Sequence, residues 1–228
     1  QTAFTSIAHR TTFYGKLAAD ELGRSYGFSN PPKAMPRQVE IDKWAGNTAI
    51  QRARSLYRMS LYREGHREWN WAMRGITAQE SLALAAYARQ TRLIHRMINT
   101  SLKSGDQTVV IEQRFPRPHA ALIRIVSEAQ SLPSAWVYGL IRQESRFIPA
   151  VSSAVGARGL MQIMPATAKW MARHLGIDSF EQKNLTELEM NLVLGTAYLR
   201  MLYLDMEESY VLATAAYNAG PNLSLIHI

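Results

Sequence analysis

The stretch LIRQESRF, residues 140–147, places an acid where an apolar residue is expected. Val137, Leu140, Ile141 and Glu144 stand at i, i+3, i+4 and i+7, so they share one face of a helix. Pro133 suits the first turn of that helix, where a missing N–H costs nothing, and Arg146 and Pro149 predict its end just past the acid. A carboxyl group on the inward face loses solvent and lies against the negative end of the helix dipole. Both effects disfavour the anion and raise the pKa. A carboxyl group that keeps its proton near neutral pH can act as a general acid. The other reading is an ion pair with Arg142, Arg146 or another base, and the helix alone leaves both open.

Further polar residues stand at unusual places downstream. In SSAVGARGLMQIMPATA, residues 152–168, Gly156 and Gly159 allow close backbone approach or positive φ. Gln162 follows between apolar neighbours, offering two donors and one acceptor either to a ligand or to its own surroundings. Pro165 opens a helix expected to run to His174, with Gly176 closing it. TELEMNLVLGTAYLRMLY begins with Thr186 and Glu189 at capping-box spacing and puts Leu192, Gly195, Thr196 and Leu199 on one face. Gly195 inside a good helix costs about 1 kcal/mol relative to Ala, which predicts a close helix–helix approach there. ATAAYNAGP ends a small-residue helix at Gly220 and Pro221, with Tyr217 and Asn218 near its end.

The elements around these motifs read as helices throughout, so the expected class is all-α. FYGKLAADELG (13–23) and NTAIQRARSLYRMSLYREG (47–65) carry apolar residues at spacings of three and four and end at glycine. TAQESLALAAYARQTR (77–92) opens with a Thr77–Glu80 capping box. TVVIEQ (108–113) reads as an extended connector, and Trp69 and Trp71 as packing residues. Residues 11–104 resemble a solenoid of short paired helices. Pro-rich breaks fall at 29–37 and 103–119, and the second sets the expected domain boundary: 1–115 a helical superhelical or linker region, 116–228 a second domain.

Composition bounds the rest. The chain has 228 residues, 47% of them hydrophobic, and no apolar run approaches the ~18 residues of a membrane span. The absence of cysteine removes disulfides, thiolate chemistry and Cys-type zinc sites. A net charge of +8 favours polyanionic partners. Between Glu128 and Asp178, Glu144 is the sole acidic residue.

ESRF, GLMQIMP, NLVLGTAYL and AYNAGP, in this order and spacing, resemble the catalytic domain of the soluble lytic murein transglycosylases, of the goose-type-lysozyme-like group. The likeness covers residues 116–222, and the upstream helices resemble the linker and the end of the family's superhelical domain. It implies a lysozyme-like α-helical catalytic domain that cleaves the MurNAc-β-1,4-GlcNAc bond of peptidoglycan and leaves a 1,6-anhydro end. Glu144 would act first as acid and then as base for the sugar's own C6 hydroxyl, with the neighbouring acetamido group assisting. One acid working alone suits a reaction whose substrate supplies the second nucleophile. By the same likeness Ser145, Gln162, Met164, Tyr217 and Asn218 bind substrate, with Tyr217 beside the acid and Asn218 at the local turn. Ser145 and Asn218 as capping residues and Met164 as core are the structural alternatives.

No cofactor and no metal are implied. The expected partners are peptidoglycan glycan strands and other cell-wall enzymes, not nucleic acid. Arg142, Arg146, Arg158, Lys169 and Arg173 are available to the carboxylates of the polymer. The implied location is the periplasm. The closing NLSLIHI departs from the family pattern of a Gly-rich turn and a further helix. Residues 223–228 read as the translation of a transposon end used in DNA library preparation, and the chain as truncated at both ends. A non-catalytic peptidoglycan-binding fragment and a helical scaffold are the competing functions.

Overall fold

The computed structural model describes residues 2–10, 12–25, 35–105 and 108–220. The expectations for 29–34, Pro221 and 223–228 lie outside the described residues. Among the described residues the regular structure is helical, apart from isolated bridges from Arg158 to Ser152 and Ile163. The chain divides into two compact units, Gln1–Pro116 and Arg117–Ile228.

In the first unit, α1 (Thr2–Ile7), α2 (Phe13–Glu21) and α3 (Gln38–Asp42) precede two helical hairpins. α4 (Thr48–Arg58) pairs with α5 (Tyr62–Ala72), and α6 (Ala78–Gln90) with α7 (Ile94–Ser101). Local chemistry sets their ends. Asn47 accepts the Ile50 N–H at 3.1 Å to start α4. Thr77 and Glu80 form the expected box at the start of α6, each side chain taking the other's backbone N–H.

The stop signals differ from expectation. The run 47–65 is two helices, broken at Ser60 with φ +60°. The Ser60 N–H donates to Tyr57 O and the Leu61 N–H to Leu56 O, the two bonds of a Schellman turn. Arg92 ends α6 with the same pair of bonds, to Arg89 O and Ala88 O. Gly65 terminates nothing. It lies inside α5, where a Cβ would meet the Tyr57 ring at 2.5 Å. TVVIEQ is only half extended, because Ile111–Arg114 forms the short helix α8.

The core of this unit gathers Trp44, Ile50, Tyr57, Trp69, Leu84 and Met97. Trp69 is fully buried, and its indole N–H donates to the Thr100 hydroxyl at 2.9 Å. Trp71 is instead 59% exposed under the Arg74 guanidinium, so it is not the packing residue expected.

The second unit holds α9 (Ala120–Ala129), α10 (Ser134–Glu144), α11 (Pro165–His174), α12 (Leu188–Asp205) and α13 (Tyr210–Ala219). α12 packs against α9, α11 and α13, with Leu192, Leu194, Leu199 and Leu202 fully buried. The apolar stripe of α10 is buried as expected at Val137, Leu140 and Ile141. α11 begins at Pro165 and ends at His174, with Gly176 at φ +69°. The capping box expected at Thr186 does not form. Glu187 is the N-cap residue of α12, and the Thr186 hydroxyl turns back to Lys183 O.

Burial of the Trp69 N–H leaves it dependent on one acceptor. Thr100→Val removes that acceptor with little change in shape, and urea denaturation is expected to show a loss of about 1–3 kcal/mol. An unchanged midpoint would contradict this account of the core.

Candidate active site

Glu144 is the last residue of α10 and is half-buried. Its placement follows from the turn after it. Ser145 is 6% exposed and ties the corner from both sides, donating to Ile141 O at 3.2 Å and accepting the Phe147 N–H at 3.1 Å. Arg146 and Phe147 are then both left-handed, at φ +49° and +64°. Two successive non-glycine residues there store strain of about 1–3 kcal/mol each. The reversal stops the helix at the acid.

The carboxyl group makes no hydrogen bond or ion pair with any described side chain or backbone group. The alternative of an Arg142 or Arg146 salt bridge is therefore not realised. Desolvation by burial raises the Glu144 pKa above the ordinary carboxyl value.

A groove of about 670 Å³ lies between α10 and α13 and reaches the acid. Trp136, Gly139, Leu140, Gln143 and Glu144 line one side, and Tyr210, Val211, Thr214, Ala215 and Asn218 the other. On each helix these positions recur at three- and four-residue spacing, so each wall is one helix face. The Trp136 indole donates to the Thr214 hydroxyl at 3.0 Å, which ties the two walls together. Its ring also meets Tyr210 edge-on at 4.8 Å. The groove thus has an aromatic end at Trp136 and a polar end at Glu144, Gln143 and Asn218.

Behind the acid sits the irregular loop 151–163. Arg158 and Ile163 exchange both backbone hydrogen bonds, at 3.0 and 3.1 Å. Gln162, at φ +48°, donates its side-chain amide to Val151 O at 3.1 Å and Gly159 O at 2.8 Å. Both of its donors are thus engaged inside the loop, and it is not a groove wall. Met164 is 41% exposed at the start of α11 and also lies off the groove. It is not core either. Asn218 does line the groove, and Ser145 belongs to the turn behind it.

Tyr217 is the residue that links loop and acid. Its hydroxyl donates to Met161 O at 2.8 Å, not to Glu144 itself. Burial first, then the charges of Glu144 and Tyr198, push the phenol well above its ordinary pKa. It therefore remains a hydrogen-bond donor throughout the working range of pH.

Met161 is fully buried, and Gly195 explains how it fits. A Cβ at Gly195 would meet Met161 Cβ at 2.8 Å. The close approach read from that glycine is real, but its partner is the loop, not another helix. Asn191, one turn earlier on α12, was missed as a functional candidate. It is 1% exposed and accepts the Met161 N–H at 2.8 Å. Its amide donates to Arg158 O at 3.0 Å and Leu185 O at 2.9 Å. A polar residue heading a run of buried leucines was the available signal. Among the described residues, no three His, Asp or Glu side chains converge in a way that could hold a metal ion.

Residues 121–225 match the transglycosylase SLT domain family, and residues 44–106 the soluble lytic murein transglycosylase L domain. The soluble lytic murein transglycosylase of Escherichia coli is 29% identical over 218 residues, covering 92% of this chain and 32% of that protein. The Salmonella typhimurium protein of the same name is 29% identical over 225 residues, covering 95% of this chain and 33% of its own length. The structure resembles the crystal structure of an inactive glutamate-to-glutamine mutant of the lytic transglycosylase Slt from Pseudomonas aeruginosa. That TM-score is 0.83 at 32% identity, over 98% of this chain and 36% of that one. The 70 kDa soluble lytic transglycosylase of Escherichia coli gives 0.79 at 26% identity, over the same shares. The chain therefore spans about a third of the length of these relatives.

Two outcomes follow from this geometry. A carboxyl pKa raised by folding adds stability that is complete below the ordinary value of 4.5 and is lost as pH rises through the folded value. Glu144→Gln carries no such loss. Its melting temperature should match the parent in acid and exceed it increasingly towards neutral pH; a constant difference across pH would contradict the raised pKa. Gly195→Ala should lower stability by about 1–3 kcal/mol in thermal denaturation, because buried Met161 has no room to retreat.

Proposed function

The chain belongs to the Slt-type lytic transglycosylase family, and from that premise we propose that it cleaves the MurNAc-β-1,4-GlcNAc bond of peptidoglycan with Glu144 as its single acid and base. The observation that carries this reading is a half-buried carboxyl group with raised pKa and no ionic partner among the described residues, opening on a groove. Such a group holds its proton where an ordinary glutamate would have lost it.

The reaction needs no second carboxylate. Glu144 gives its proton to the glycosidic oxygen as the bond to the anomeric carbon breaks. The C6 hydroxyl of the same sugar then closes on that carbon and returns its proton to Glu144. The products are a 1,6-anhydro end and a free GlcNAc hydroxyl, with the carboxyl group restored. Among the residues around the groove, Asn218 and Gln143 offer amides to the acetamido and lactyl oxygens of the strand. Tyr217 keeps the wall behind the acid fixed, and Ser145 fixes the corner that presents it. Gln162 acts by closing the loop on itself, and Met164 by shaping its exposed exit.

The surplus of basic residues suits a polymer rich in carboxylates. Arg146, Lys169 and Arg173 are exposed near the motifs and are available to it. The reading places the protein at the cell wall, in the periplasm, where other wall enzymes share its substrate. No described helix is long and apolar enough to cross a membrane.

Incubation with purified sacculi, followed by mass spectrometry of the soluble muropeptides, tests the proposal. Anhydro ends are expected from the parent, with a loss of at least about 1,000-fold in Glu144→Gln. Reducing ends would mean hydrolysis and overturn the mechanism. Sedimentation with sacculi but no product would favour a binding fragment instead.

A further inference from the structure

Three bonds converge on one buried amide of α12, and their combined reach extends to the acid. Asn191 accepts from the Met161 N–H and donates to Arg158 O and Leu185 O, which uses one acceptor position and both donors of its side chain. Its neighbours leave it no freedom: a Cβ at Gly159 would meet Asn191 Cγ at 2.5 Å. Met161 is held from outside the loop at its backbone N–H, its backbone carbonyl and its side chain. The N–H goes to Asn191, the carbonyl to Tyr217, and the thioether lies on Gly195. Tyr217 in turn packs against Tyr198 at 5.4 Å and adjoins Asn218 of the groove wall.

We propose that Asn191 is a positioning residue of this site: by fixing Met161 it fixes the Tyr217 hydroxyl, and through Tyr217 the wall beside the Glu144 carboxyl group. Asn191 itself is sealed from the groove, so it touches no substrate. Its type is dictated. Aspartate would still accept the Met161 N–H but would turn a carboxylate oxygen towards two carbonyl oxygens. Leucine, the expected residue on so apolar a helix, would leave the buried Met161 N–H without its acceptor and take from the Arg158 and Leu185 carbonyls the donors that Asn191 supplies. The kinetic part of this inference rests on the proposed reaction; the positioning does not.

The test is a double-mutant cycle between Asn191→Ala and Tyr217→Phe, with Ile123→Val in α9 as a control for general loss of stability. On sacculi, each single variant should lower kcat about 10- to 100-fold with KM changed less than about twofold, and the double variant should be no slower than the slower single. Losses that multiply, or a kcat loss matched by Ile123→Val, overturn the proposal. Asn191→Asp provides the same comparison where the alanine variant does not fold.

A second readout needs no turnover. The titration of Glu144, followed by carbon NMR of labelled carboxyl groups, should move towards the ordinary glutamate range in Asn191→Ala as the wall loosens and water enters. It should stay in place in Ile123→Val. An unmoved Asn191→Ala titration refutes the positioning role. A parent protein that shows the expected titration but releases no muropeptides refutes the reaction and leaves the positioning standing.

Discussion

Everything around the acid depends on how Met161 is held. A loop without regular structure has no ladder of its own, so its position must come from its neighbours. Here α12 supplies an amide and a gap, from Asn191 and Gly195, and α13 supplies a phenol, from Tyr217. One residue thereby registers two helices against a loop. The groove lies between α10 and α13, so the position of α13 relative to the loop also shapes one wall of the site. Substitutions at Asn191, Gly195 and Tyr217 therefore act on one device and are not expected to be independent.

The acid is treated in the opposite way. Where Met161 has a partner for every group, Glu144 has none among the described residues, and burial without a partner is what raises its pKa. The surroundings achieve this by geometry. The Ser145 corner and the left-handed Arg146 and Phe147 turn the chain away at once, and among the described residues no side chain returns to neutralise the carboxyl group. A bonded scaffold thus supports one unsatisfied group, the division of labour that the proposed reaction needs.

Helix content and the candidate acid were legible because periodicity is a local signal. An apolar stripe interrupted by Glu144 needs nothing beyond the order of residues to be noticed. The ends of helices were less legible. Reading glycine as the stop signal failed at Ser60, where a residue with a Cβ adopts the left-handed turn because two backbone bonds compensate for it. Gly65 misled for the converse reason, being small to admit a tyrosine ring rather than to bend the chain. Roles that depend on distant partners were not legible at all. Gln162 offers the same groups to a ligand or to Val151 and Gly159, and only the fold decides between them. Tyr217 was expected beside the acid, and its actual acceptor lies 56 residues away in sequence.

The position of Glu144 at the very end of α10 has one more consequence. The backbone carbonyls of a helix's last turn carry a partial negative charge that falls off within about one turn. In the resting state that field opposes ionisation of the acid. In the proposed reaction a glycosidic bond opens in front of it, electron deficiency develops at the ring carbon, and an oxocarbenium-like species would be attracted by the same field. On the proposed reaction, burial keeps the proton in place beforehand and the dipole at the helix end stabilises the cationic transition state, so the helix need not move between the two.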